Sequence, residues 1–151
     1  MALSTRQLLY AKVKSLLQDI SQANGYNTSP TVVDNHEDAY AAQEQSALYV
    51  KIGNETVIEG YIGQKLKLKL EVLVFALVRD MGGDTLADAN LLLQDVRNAI
   101  FGNRASFGSA CDGASLDLPG MCETDEGVLS QVQKSFFMQP LAFEYIAGPA
   151  F

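Results

Sequence analysis

A chain of 151 residues, 48% apolar and 19% charged, has the length and balance of one globular domain, which excludes the disordered and fibrous classes. Its longest apolar run, Val72 to Val78, is far short of the roughly 20 residues a membrane-spanning helix needs. The formal charge of -7 repels phosphate backbones and argues against sequence-specific nucleic-acid binding, although an acidic wall suits a channel through which DNA slides. Residues Met1 to Arg6 lack the apolar core of a secretory signal, so the chain is expected to stay in the cytosol where it is made. Cys111 and Cys122 are accordingly expected as reduced thiols.

In chain order, the first expected element is a helix over Thr5 to Ala23. Ser4 and Gln7 have capping-box spacing, Leu3 and Leu8 the spacing of a hydrophobic staple, and Leu9, Val13, Leu16, Leu17 and Ile20 fall on one face. Asn24-Gly25 is its stop signal. A short strand follows at Thr31 to Asp34. Asn35 to Ser46 reads as a surface excursion with room for one helical turn. Ala47 to Gly53 and Glu55 to Ile62 are rich in β-branched and aromatic residues, and Gly53-Asn54 between them predicts a hairpin.

Lys65 to Arg79 is the most informative stretch. Leu66, Leu68, Leu70, Val72, Val74, Ala76 and Val78 alternate onto one face. The other face begins as Lys65, Lys67, Lys69 and Glu71 and ends as Leu73, Phe75 and Leu77. Such a strand is about 50 Å long and is expected to project beyond the domain or to pair across a subunit boundary. A second helix is predicted from Asp84 or Thr85 to Phe101, with Leu86, Ala89, Leu92, Leu93, Val96 and Ile100 inward and Gly102 closing it. Residues 103–127 read as a long irregular loop. Val128 to Phe137 and Leu141 to Ile146 read as a closing pair of strands around Gln139-Pro140. The fold expected is α+β, residues 1–151 in one domain: a mixed, mainly antiparallel sheet flanked by two amphipathic helices.

Chemistry-bearing constellations are sparse. Asp34, His36 and Asp38 alternate, but the chain's single histidine lies in a polar stretch without a second imidazole, and a solvated loop is the better reading. Cys111-Asp112 has only the distant His36 as a base. Glu59-Gly60-Tyr61-Ile62-Gly63 lacks the Gly-Lys-Ser/Thr ending of a phosphate loop. Met81-Gly82-Gly83-Asp84 precedes a helix whose Asp84 and Asp88 repel phosphate. No catalytic residue, metal ligand or cofactor is assigned, and the chain is read as non-enzymatic. Two charged features remain: Lys65, Lys67, Lys69, Glu71 and Arg79 on the long strand, and the acidic group Asp112, Asp117, Glu123, Asp125 and Glu126. Each is read either as a solvated surface or as one half of a head-to-tail contact between identical subunits.

The ordered set of elements resembles the bacteriophage tail terminator (tail completion) family. Three segments carry the likeness: Leu8-Leu9-Tyr10-Ala11-Lys12-Val13-Lys14-Ser15-Leu16-Leu17 through Gly25-Tyr26; Ala47-Leu48-Tyr49-Val50-Lys51-Ile52-Gly53; and Leu68-Lys69-Leu70-Glu71-Val72-Leu73-Val74 followed by Ala89 to Ile100. Residues 103–127 and the absence of tryptophan depart from the family pattern. The resemblance implies a structural virion protein, assembled in the host cytoplasm and placed at the head–tail junction. It would form a homo-oligomeric, hexameric ring on the tail tube protein, end tube polymerisation and join the head-completion (stopper) protein. Genome DNA would pass through the lumen without sequence-specific binding, and no membrane is involved. The alternatives are a phage head–tail connector, stopper or baseplate adaptor, and a small enzyme or binding domain with its site in 103–127.

Overall fold

The computed structural model describes residues 4–41, 46–61, 65–79, 85–111, 113–116, 123–129 and 132–147. Helix α1 (Thr5–Gln18) starts at the capping box expected: Ser4 Oγ accepts from the Gln7 amide and Gln7 Oε1 accepts from the Ser4 amide. Leu3, the outer half of the expected staple, lies outside the described residues. Leu9, Val13, Leu16, Leu17 and Ile20 are all buried. A helix of this length is marginal alone; burying those five side chains, at about 2 kcal/mol each relative to exposure, holds it on the sheet. It ends earlier than the predicted Ala23. Asn24 Nδ2 donates to the Asp19 carbonyl, and Ser21 Oγ accepts from the Asn24 amide. These local bonds compete with the helical ladder and fold Gln22–Asn24 into a separate 3-10 turn, which Gly25 closes at φ 91°.

The sheet has six strands among the described residues: β1 (Thr31–Val32), β2 (Ser46–Tyr61), β3 (Lys65–Arg79), β4 (Ser115–Leu116), β5 (Glu123–Leu129) and β6 (Val132–Ala147). Their order is β1-β2-β3-β6, with β4 and β5 both on the far edge of β6. Only β1–β2 is parallel. The fold is thus α+β with a mixed, mainly antiparallel sheet. Helices α1 and α3 (Thr85–Phe101) pack on one face, with the short α4 (Ser106–Ala110) beside α1. The main core lies between them, made by Leu68, Leu70, Val72, Val74, Ala76 and Val78 of β3 against Leu92, Val96 and Ile100 of α3. Phe107 of α4 and Phe143 of β6 close its end, ring centroids 4.9 Å apart.

Four expectations are corrected. First, Gly53-Asn54 is not a hairpin turn. β2 runs through it, and the register against β3 shifts between Ile52 and Glu55. The Glu71 side chain lies so close to Gly53 that a Cβ there would stand 2.5 Å from Glu71 Oε1, so this glycine serves a close approach within a bulge. The real hairpin is β2–β3, with Tyr61 opposite Lys65. Second, β6 passes straight through Pro140, which pairs in register with Leu73. Among the described residues β5 borders β6 only to Met138 and β4 only at Phe143 and Glu144, so no described strand pairs with Pro140 on that side, a place where proline is tolerated. Third, residues 103–127 are not one irregular loop, since they contain α4, β4 and the first part of β5. Fourth, Leu86 does not join the inward face of α3 but is 44% exposed in the first helical turn. The one turn expected in Asn35 to Ser46 is α2 (His36–Ala41).

Candidate assembly surface

Strand β3 is the axis of the surface. Its even-numbered residues enter the core, so Lys65, Lys67, Lys69, Glu71, Leu73, Phe75, Leu77 and Arg79 lie on the opposite face. At the Arg79 end α2 covers this face. Ala39, Ala47 and Leu77 are buried outside the main core, and Arg79 Nη2 donates to the Ala39 carbonyl. Arg79, expected at a subunit interface, binds α2 within its own chain. Next along the face come half-buried apolar groups: Tyr49 stacked on Phe75 at 4.9 Å, with Leu73, Phe136, Met138 and Pro140. At the far end stand the lysines. Lys67 Nζ is 3.6 Å from Glu144 of β6, and Lys65 and Lys69 are exposed. The change of character read along β3 is therefore a change of cover, from α2 to open sheet.

The expectation that β3 itself pairs across a subunit boundary is not met. From Leu66 to Arg79 it pairs with β6, and along the same length with β2. The open edge belongs to β2. Among the described residues only Ala47 and Leu48 pair with β1 on that side, extended by the Val33 amide donating to the Leu48 carbonyl. Beyond Val50 no strand among the described residues pairs with that edge, and Val57 and Ile58 there are 56% and 45% exposed.

Glu123, Asp125 and Glu126 belong to β5, in register with Met138, Phe136 and Ser135. Asp112 and Asp117 lie outside the described residues. The acidic strand and the lysines sit at opposite ends of the sheet: Lys67 is level with Ile146 and Glu126 with Ser135. That interval of β6 is roughly 36 Å at about 3.3 Å per residue.

Two polar arrangements carried no obvious sign in the sequence. Asp95 of α3, 1% exposed, accepts from the amides of Asn27 and Thr28, from Asn27 Nδ2 and from Thr28 Oγ1, tying the loop after the 3-10 turn to the helix. A lone Asp on the buried side of an amphipathic pattern was the available signal. Tyr145 donates to Glu55 Oε2, with Arg6 Nε 3.8 Å from the same oxygen. Burial, then the bond to Glu55, pushes the Tyr145 phenol well above its ordinary value. Of the other candidates, Asp34 binds Lys14 Nζ at 2.5 Å, a contact that raises the Lys14 ammonium pKa. The Asp38 amide donates to Asn35 Oδ1. The His36 side chain and Cys122 lie outside the description, and Cys111 is fully buried in the core. A hollow of about 260 Å³ beside the 3-10 turn is lined by Gln22, Asn27, Thr28, Ser29, Asp88 and Leu91. That lining provides amides, hydroxyls and one carboxylate, with no nucleophile–base pair. Comparison with protein-family models and with curated proteins gives no match.

Proposed function

We propose that this chain is a structural subunit of a phage tail terminator: a ring of identical copies, hexameric by the resemblance, that caps the tail tube and joins it to the head-completion protein. The observation that carries the reading is the separation of opposite charge along one sheet, lysines at one end of β3 and the acidic β5 at the other. A closed ring needs two different, complementary patches on every copy. Opposite charge set at the two ends of one sheet suits a contact between chains, and Lys67 also pairs with Glu144 of its own chain. The tube, the head-completion partner and the passing DNA come from the resemblance of the three segments named above. The net charge of -7 favours a lumen along which DNA slides without sticking.

Native mass spectrometry over a concentration series, without and with tail tube ends, tests the reading. The expected species is a discrete ring, with binding to tube ends that halts their growth. A monomer throughout, with tubes growing undisturbed, refutes it. A ring that ignores tubes and binds portal instead identifies the connector alternative.

A further inference from the structure

We infer that neighbouring copies join by strand addition, β5 of one copy pairing antiparallel with the open edge of β2 in the next. The inference rests on the ring reading and supplies its contact.

Strand direction is the first support. Along β2, β3, β6 and β5 every pairing is antiparallel, so the two outer strands, β2 and β5, run in opposite directions. Copies set side by side in one orientation therefore bring antiparallel partners together at each junction, and the alternation continues from copy to copy. The second support is the edges. Among the described residues β2 has no strand on its outer side from Val50 onward, and β5 pairs only with β6. An open edge bearing exposed Val57 and Ile58 is a template for another strand.

Charge sets the stagger. β1 blocks the edge of β2 at Ala47 and Leu48, the level at which β5 lies in its own chain. An incoming β5 must shift along β2 towards Tyr61. Placed on Glu55 to Val57, β5 brings the Glu123 and Asp125 positions to the level of Lys69, which stands one strand further in, about 10 Å away at two strand spacings. The register shifts at Ile52/Glu55 and Val57/Glu59 bracket a regular run, Glu55 to Val57, and confine the addition to it.

The test mixes two proteins in a Cys111→Ala, Cys122→Ser background. One carries Thr56→Cys; the other carries Glu123→Cys, Asp125→Cys or Gly127→Cys. Mild oxidation should give the mixed disulfide dimer in at least about tenfold excess over a Thr56→Cys and Asn90→Cys control, because assembly raises the local thiol concentration. Native mass spectra of the same samples separate the two ideas. A ring without any Thr56 cross-link to β5 overturns strand addition and leaves the ring standing. Monomers without cross-links overturn both. Should the background fail to fold, a photo-crosslinking residue at Thr56 in the otherwise native chain reports the same contact: attachment within 123–129 of another copy supports it, and attachment elsewhere overturns it.

Discussion

Replacing Asp95 by alanine should destabilise the domain by about 3 kcal/mol. Its carboxylate is 1% exposed and accepts four hydrogen bonds, at 3.1 and 3.0 Å from Asn27 and at 2.8 and 2.5 Å from Thr28. Hydrogen bonds to a charged group are worth about 1.5–3 kcal/mol each, but four on one carboxylate are coupled and do not add. Two effects lower the sum further. Asn27 is exposed and Thr28 half-buried, so water recovers part of the lost bonding. Removing a buried charge also returns its desolvation cost. About 3 kcal/mol remains, which for a domain of this size shifts Tm by roughly 6–12 °C. Thr28→Val, which removes one hydroxyl bond, should cost about 1 kcal/mol. Urea denaturation followed by circular dichroism measures both. An Asp95→Ala loss below about 0.5 kcal/mol, the ordinary scatter of surface changes, would refute the view that this carboxylate anchors the loop.

Gly53→Ala should destabilise the native chain by about 1 kcal/mol through overpacking against Glu71, and the penalty should largely vanish in a Glu71→Ala background. A double-mutant cycle in urea reads this coupling. Tyr145 gives a pH prediction. Its phenol is held above the unfolded value of 10.0, so as pH climbs past about 10 the unfolded chain releases a proton that the folded chain keeps, and stability falls. Tyr145→Phe should flatten that decline while shifting stability at pH 7 to 9 by a constant amount, measured by thermal melts across the range. Lys67→Glu with Lys69→Glu should abolish ring formation in native spectra while costing little folding free energy. The intrachain Lys67–Glu144 pair is partly exposed, and such pairs contribute about 0–1 kcal/mol.

Most of the fold could be read where one periodicity dominates. The alternation of Leu66 to Val78 marked β3 from end to end, and the spacing of Leu9, Val13, Leu16 and Leu17 marked α1 with its cap. Legibility failed where a local signal met a tertiary override. Gly53-Asn54 has the composition of a turn, yet the strand continues because β3 offers partners on both sides of the bulge and Glu71 needs the space a side chain would fill. Pro140 has the composition of a break, yet β6 continues because its missing N–H falls where no strand among the described residues borders it. Neither neighbour is visible from the residue itself. Leu86 failed for the opposite reason: helical spacing places it inward, but its turn is the first of α3 and 44% of it is exposed.

The candidate surface was legible in kind and not in place. Lys65, Lys67 and Lys69 could be put on one face from the pleat alone, whereas the acidic residues could not be assigned to a strand, because a Glu-Thr-Asp-Glu-Gly run has little β propensity. It becomes a strand by pairing with Val132 to Met138 of β6, whose other edge is filled by β3. That pairing fixes the acids at one end of the sheet, and the β2–β3 hairpin fixes the lysines at the other. The same topology decides which edges stay open. A strand as long as β3 would be the natural bridge between subunits, but it lies inside the sheet with both edges occupied. The burden passes to β2, whose short partner β1 covers only Ala47 and Leu48, and to β5. On the ring reading, then, length is not what makes β3 useful. Its value is to hold β2 out past β1 and to carry the positive charge one strand behind an edge that a neighbour can reach.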